Sequence, residues 1–200
     1  MQKTNRLKYH KIYFCGPMDF SREKGKIWRD ELIEYCNNMG IICLNPYNKE
    51  LNTIHGEFAL EDDINSGKVK EALENKDYKT ASERMKFVRS TDLRLVDRAD
   101  ALVVRLDFDV IMTGTIEEIC TANRQKKPII IWSSVPKNKI PPWYFGQLKN
   151  ELFFESIEEV KEYLRHINED KYIDTLGRWV FFNLESRINE IHNNQGLELW

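Results

Sequence analysis

A chain of 200 residues with 30 basic and 32 acidic side chains carries a formal net charge of −2, which offers no field for a nucleic acid polymer or an anionic membrane. No apolar run is long enough to span a bilayer, and polar residues continue up to Lys11, so no signal core is read at the N-terminus and a cytoplasmic location is expected. The four cysteines and four histidines show neither C-x-x-C nor metal-ligand spacing. The cysteines are read as reduced, half-buried core thiols, and no metal or organic cofactor is expected.

In chain order, KIYFCG (Lys11 to Gly16) is β-branched and aromatic and runs into Gly-Pro, which predicts a buried strand and a turn. A helix capped by Ser21 follows, with Ile27, Leu32, Ile33 and Cys36 as its apolar stripe and Gly40 as its stop. IICLNP (Ile41 to Pro46) predicts a second strand, and Tyr47 to about Lys68 a loop. Val69 to about Arg98 reads as a charged, broken helix, ALVVRL (Ala101 to Leu106) as a third strand, and Gly114 to Lys126 as a helix. PIIIW (Pro128 to Trp132) lacks alternation, as expected of a central strand covered on both faces. ELFFES (Glu151 to Ser156) predicts a fifth strand and Ile157 to Ile167 a helix.

Alternating strands and helices predict an α/β fold, a doubly wound, Rossmann-like or flavodoxin-like parallel sheet of about five strands with flanking helices. The domain is expected over 1–168. Residues 169–200 form a C-terminal helical extension, with Ile173, Leu176, Val180, Leu184, Ile188 and Ile191 on one face. That face packs either on its own domain or against another subunit.

Ligands of such sheets bind beyond the carboxyl ends of the strands. Those positions hold Gly16, Pro17, Met18 and Asp19; Asn45 and Pro46; Asp107, Asp109 and Gly114 to Glu118; Ser133, Ser134 and PPWYFG (Pro141 to Gly146). The crevice is expected to be acidic and aromatic with few cations, and neither G-x-x-x-x-G-K-[ST] nor G-x-G-x-x-G is present. It suits a neutral planar ligand such as a nucleobase with its sugar. A carboxylate near C1′ can then act as a nucleophile through a covalent glycosyl intermediate. Thr115-x-x-Glu118 has the spacing of a capping box, so Glu118 is either a cap or the reacting carboxylate. In a first helical turn the dipole would keep it ionised.

Several segments resemble the nucleoside 2-deoxyribosyltransferases and their relatives, the nucleotide N-glycosidases, most of all the bacteriophage versions. KIYFCGPM is similar to the family's first strand and loop, and the resemblance makes Tyr13 the tyrosine beside the catalytic carboxylate. TDLRLVDRADALVV (Thr91 to Val104) is similar to the segment whose aspartate contacts the base, placing that role on Asp92, with Asp100 leading into the strand. GTIEEICTANRQKKPIII (Gly114 to Ile131) resembles the G-T-x-x-E motif and places the nucleophile on Glu118, not Glu117. Met112 stands where relatives often keep an aspartate, and Cys120 where they keep a glycine.

The resemblance implies a catalytic set of Glu118, Tyr13 and Asp92. Gly16, Pro17, Met18, Asp109, Met112, Gly114 and Trp143 are the substrate-binding candidates. It implies a nucleoside or nucleotide and a free nucleobase as partners, and a homo-oligomer. Each residue also has a plainer reading: Tyr13 a core aromatic, Asp92 a helix cap before Leu93, Asp109 a turn residue. Trp143 and Tyr144 cover the core edge, line the base pocket or meet another subunit. Arg22 or Ser21 would be first to contact a 5′-phosphate. A protein that only binds or sequesters a nucleotide is the competing function.

Overall fold

The computed structural model describes residues 4–18, 25–47, 67–170 and 177–182. Five parallel strands form one sheet in the order β2-β1-β3-β4-β5: β1 (Lys11–Cys15), β2 (Ile42–Leu44), β3 (Ala101–Leu106), β4 (Ile129–Ser133) and β5 (Phe153–Phe154). The helices are α1 (Lys26–Asn37), α2 (Lys68–Glu74), α3 (Tyr78–Arg98), α4 (Thr113–Arg124), the short α5 (Trp143–Gln147) and α6 (Ile157–Asn168). This is the doubly wound α/β architecture expected from the alternation of elements.

The period of two along a strand divides the core into two layers. Tyr13 and Cys15 of β1, Leu102, Val104 and Leu106 of β3, and Ile129 and Ile131 of β4 face the layer under α3 and α4. Ile12 and Phe14, Ala101 and Val103, and Ile130 face the layer under α1 and α6. The unalternated isoleucines of β4 are thus all fully buried, one on the second face and two on the first. β5 is shorter than expected because a 3-10 turn over Asn150–Leu152 leads into it and Ser156 caps α6 directly after it.

Three expectations are corrected or sharpened. The buried stripe of α1 is Trp28, Arg29, Leu32 and Cys36, while Ile27 is 61 % exposed. The helix starts at Gly25, whose φ of 66° puts it in the left-handed region, and this start turns the 28/32/36 row inward. An added Cβ at Gly25 would lie 2.8 Å from the Pro17 carbonyl oxygen, so glycine is required there on two counts. Second, the charged helix is broken, as expected, and the break falls at Asn75–Asp77, with Lys76 at φ 59° and the Asp77 side chain accepting from Thr80 N at 3.1 Å. Third, in the extension Val180 is 67 % exposed and Trp179 is the buried residue. Trp179 has a reason to be inside: its Nε1 donates to Tyr163 Oη at 2.8 Å. Ser21, most of the segment expected to be a loop (48–66), and Ile173, Leu176, Leu184, Ile188 and Ile191 lie outside the described residues. Among the described residues no helix is long and apolar enough to cross a membrane.

Candidate active site

Two side chains of β1 and one of α4 converge at the centre of the sheet. Tyr13 and Cys15 share a face of the strand, and α4 lays Glu118 over them. Tyr13 Oη donates to Glu118 Oε1 at 2.7 Å, and Cys15 Sγ donates to Oε2 at 2.8 Å. Both carboxyl oxygens are therefore held, and Glu118 is only 8 % exposed. Asp92 approaches from α3 closely enough for its charge to act on Glu118, Tyr13 and Cys15.

Burial, and after it the charge of Asp92, outweighs the lowering effect of the donors Cys15 and Tyr13 and the cation Arg29, so that the Glu118 carboxyl is raised to about 7. This overturns the expectation that a helix dipole keeps Glu118 ionised. α4 begins at Thr113 with Met112 as its N-cap and no side-chain cap bond. Thr115 and Glu118 both lie inside the helix and are buried, so there is no capping box. The loop sets this start: Met112 Sδ accepts from Asp107 N at 3.1 Å, and Met112 O accepts from Ile116 N at 2.9 Å. Glu117 points the other way, into an exposed two-bond pair with Arg89 of α3.

Asp92 is no helix cap either, because it sits in the interior of α3. Asp100 is structural: its Oδ2 accepts from Lys11 N, and its own N donates to Lys11 O, each at 2.7 Å. Gly16 lies at the carboxyl end of β1, and a Cβ there would be 3.0 Å from the Trp28 ring. Pro17 is buried beside it and Met18 half-buried. Asp19, Ser21 and Arg22 are outside the described residues. Asp109 is exposed and its N donates to Asp107 Oδ1 at 3.3 Å, a turn contact. Gly114 is exposed on the first turn of α4. Trp143 is 78 % exposed, while Tyr144 turns inward, its ring centre 6.0 Å from that of Phe108. An open groove of about 640 Å³ runs past Ile140, Pro142 and Phe145 between Lys137 and Glu155, and none of its lining residues belongs to the Glu118 cluster.

Two members of the cluster escape a reading of the sequence. Cys15 is a free thiol in the core, as expected, but it is fully buried and also meets the Glu118 carboxyl; its signal is the two-residue spacing from Tyr13. Arg29 contradicts a site with few cations. It is fully buried behind the carboxyl end of β1, where Nε donates to Phe14 O (3.1 Å), Nη1 to Gly25 O (2.9 Å) and Nη2 to Gly16 O (2.7 Å). Its place beside Trp28 in the inward row of α1 is the only hint in the sequence. Among the described residues no group of three or more His, Cys, Asp and Glu side chains is arranged to hold a metal ion.

Fold and site together define a doubly wound α/β protein with one buried, doubly held carboxyl group at the centre of its sheet. The family model described as nucleoside 2-deoxyribosyltransferase matches residues 12–170, and the chain belongs to that family. Among solved structures it is similar to a 2-deoxyribosyltransferase from Bacillus psychrosaccharolyticus, at 20 % identity and a TM-score of 0.52, over 76 % of this chain and 91 % of that one. It is also similar to a conserved protein from Enterococcus faecalis V583, at 18 % identity and a TM-score of 0.51, over 80 % and 99 % of the two chains. These two likenesses concern the fold. No curated protein gives a significant match.

Proposed function

We propose that the protein transfers the 2-deoxyribosyl group of a nucleoside or nucleotide, with Glu118 as the nucleophile. The carboxylate attacks C1′, a C1′–O bond forms, and the N-glycosidic bond breaks with its electron pair leaving on the base. Asp92 holds the departing base and passes it a proton. A second nucleobase then attacks C1′ through a ring nitrogen, returns a proton to Asp92 and, as the C1′–O bond breaks, frees the Glu118 carboxylate. Water collecting the sugar instead would make the reaction a hydrolysis. The observation that carries the reading, together with family membership, is Glu118 itself, buried with Tyr13 on one oxygen and Cys15 on the other. A buried carboxylate with weak solvation is more basic than one in water, which suits covalent catalysis.

The test is intact-protein mass spectrometry after incubation with deoxynucleosides and their 5′-monophosphates, alongside assay of released base. A sugar adduct that maps to Glu118, with free base, is the expected result. Tight binding with neither adduct nor base would replace the reading with sequestration. Since attack needs the ionised carboxylate and the group titrates at about 7, kcat/KM is expected to rise tenfold per pH unit below that value and to level off above it. A profile already flat from pH 5 to 8 would contradict this assignment.

A further inference from the structure

We propose that Cys15 is a second positioning residue for Glu118, its thiol holding Oε2 while Tyr13 holds Oε1, so that the carboxyl plane is fixed before the sugar arrives. This rests on the reading of Glu118 as the nucleophile. Cys15 is fully buried on β1, an interior strand paired with β2 on one side and β3 on the other, so the backbone that carries its thiol is held from both sides. Besides its contact of 2.8 Å with Glu118, Sγ lies 3.9 Å from Thr115 O, one turn earlier on α4. The groups facing Glu118 are Tyr13 and Cys15 from β1, Asp92 from α3 and Arg29 from α1. Tyr13 and Cys15 donate hydrogen bonds to its two oxygens.

The thiol acts as a donor, not as a nucleophile. Burial and the neighbouring Glu118 push its titration well above the ordinary thiol range, so Cys15 keeps its proton. A thiol is a weak donor. It orients the carboxylate without drawing off much of its charge, whereas a hydroxyl in the same place would bind the ionised form more firmly and make it less basic. Oε1 and Oε2 each keep a free lone pair, so two donors leave the carboxylate able to attack.

Cys15→Ala removes the donor and Cys15→Ser strengthens it. Infrared titration of the substrate-free protein carrying ¹³C-labelled glutamate, with the Glu118 band assigned by its loss in Glu118→Gln, reads the consequence directly. The midpoint should rise by about half a pH unit or more in the alanine variant and fall in the serine variant. In the assay the acid limb of kcat/KM should move with it, the loss in Cys15→Ala falling on kcat more than on KM. Thermal melts identify any variant that fails to fold, and either variant alone decides the sign. An alanine variant with an unshifted midpoint, or a serine variant shifted upward, overturns the proposal. A shifted midpoint in a protein that releases no base would leave Cys15 as the positioning donor and reject the glycosyl-transfer reading.

Discussion

Glu118→Gln is expected to lower base release on the order of 10⁴-fold or more, as loss of a covalent nucleophile does elsewhere, and to make the protein more stable above neutral pH. The sign follows from the titration. In the folded protein the group titrates at about 7 against an ordinary glutamate value of 4.5. Between those values the folded state holds a proton that the unfolded state has released, so stability falls as pH rises through the window. Above it the full penalty is about 3 kcal/mol, an order-of-magnitude figure for a group this buried. Glutamine is neutral throughout, keeps an acceptor for Tyr13 and carries no such penalty. Melting curves at pH 5 and pH 8 should show the variant gaining on the wild type only at the higher pH. Wild-type base release by the variant would remove Glu118 from the chemistry, and equal gains at both pH values would remove the burial argument.

The second large effect concerns the fold beneath the site. Arg29→Met keeps a long unbranched chain but takes a donor from three carbonyls, those of Phe14, Gly16 and Gly25, of which Gly25, as N-cap, keeps the first helical N–H. An unsatisfied buried group costs about 1–3 kcal/mol, so a total loss of 3 kcal/mol or more is expected. A urea melt reads it as a lower midpoint with an unchanged slope. Arg29→Lys should recover only part, since an ammonium cannot reach three oxygens with the planar fork of a guanidinium. A melt within 1 kcal/mol of wild type for Arg29→Met would mean that the carbonyls find other donors.

Much of this architecture is legible in the residues alone because it depends on local patterns. β3 runs over Ala101–Leu106 as its apolar run predicts, and the isoleucines of β4 are buried on both faces. The motif order also picks Glu118 over Glu117, and the structure separates the two: one is buried against β1, the other paired with Arg89 at the surface. What is not legible depends on distant contacts. Thr115-x-x-Glu118 satisfies a local rule, yet the turn closed by Met112 and Asp107 starts the helix earlier and leaves both residues inside it. The raised titration of Glu118 comes from burial and from Asp92, neither visible in its neighbours along the chain. Cys15 meets Glu118 from 103 positions away, so composition alone places it among inert thiols. Arg29 breaks the rule that charges stay outside, and three converging carbonyls help to hold it there.

β1 is paired on both sides, with Tyr13 opposite Leu44 of β2 and Leu102 of β3. A slip of one residue would bring Phe14 under Glu118 and remove both donors at once. The spacing between the two donors is therefore set by backbone pairing on both sides of an interior strand, and the turn after β3 sets where α4 lays the carboxyl group against them. The turn after β4 carries none of the three side chains, whereas the turn after β3 fixes the start of α4. Exchanging the turn after β4, with β1, the turn after β3 and α4 left untouched, should therefore leave the Tyr13–Glu118–Cys15 contacts intact.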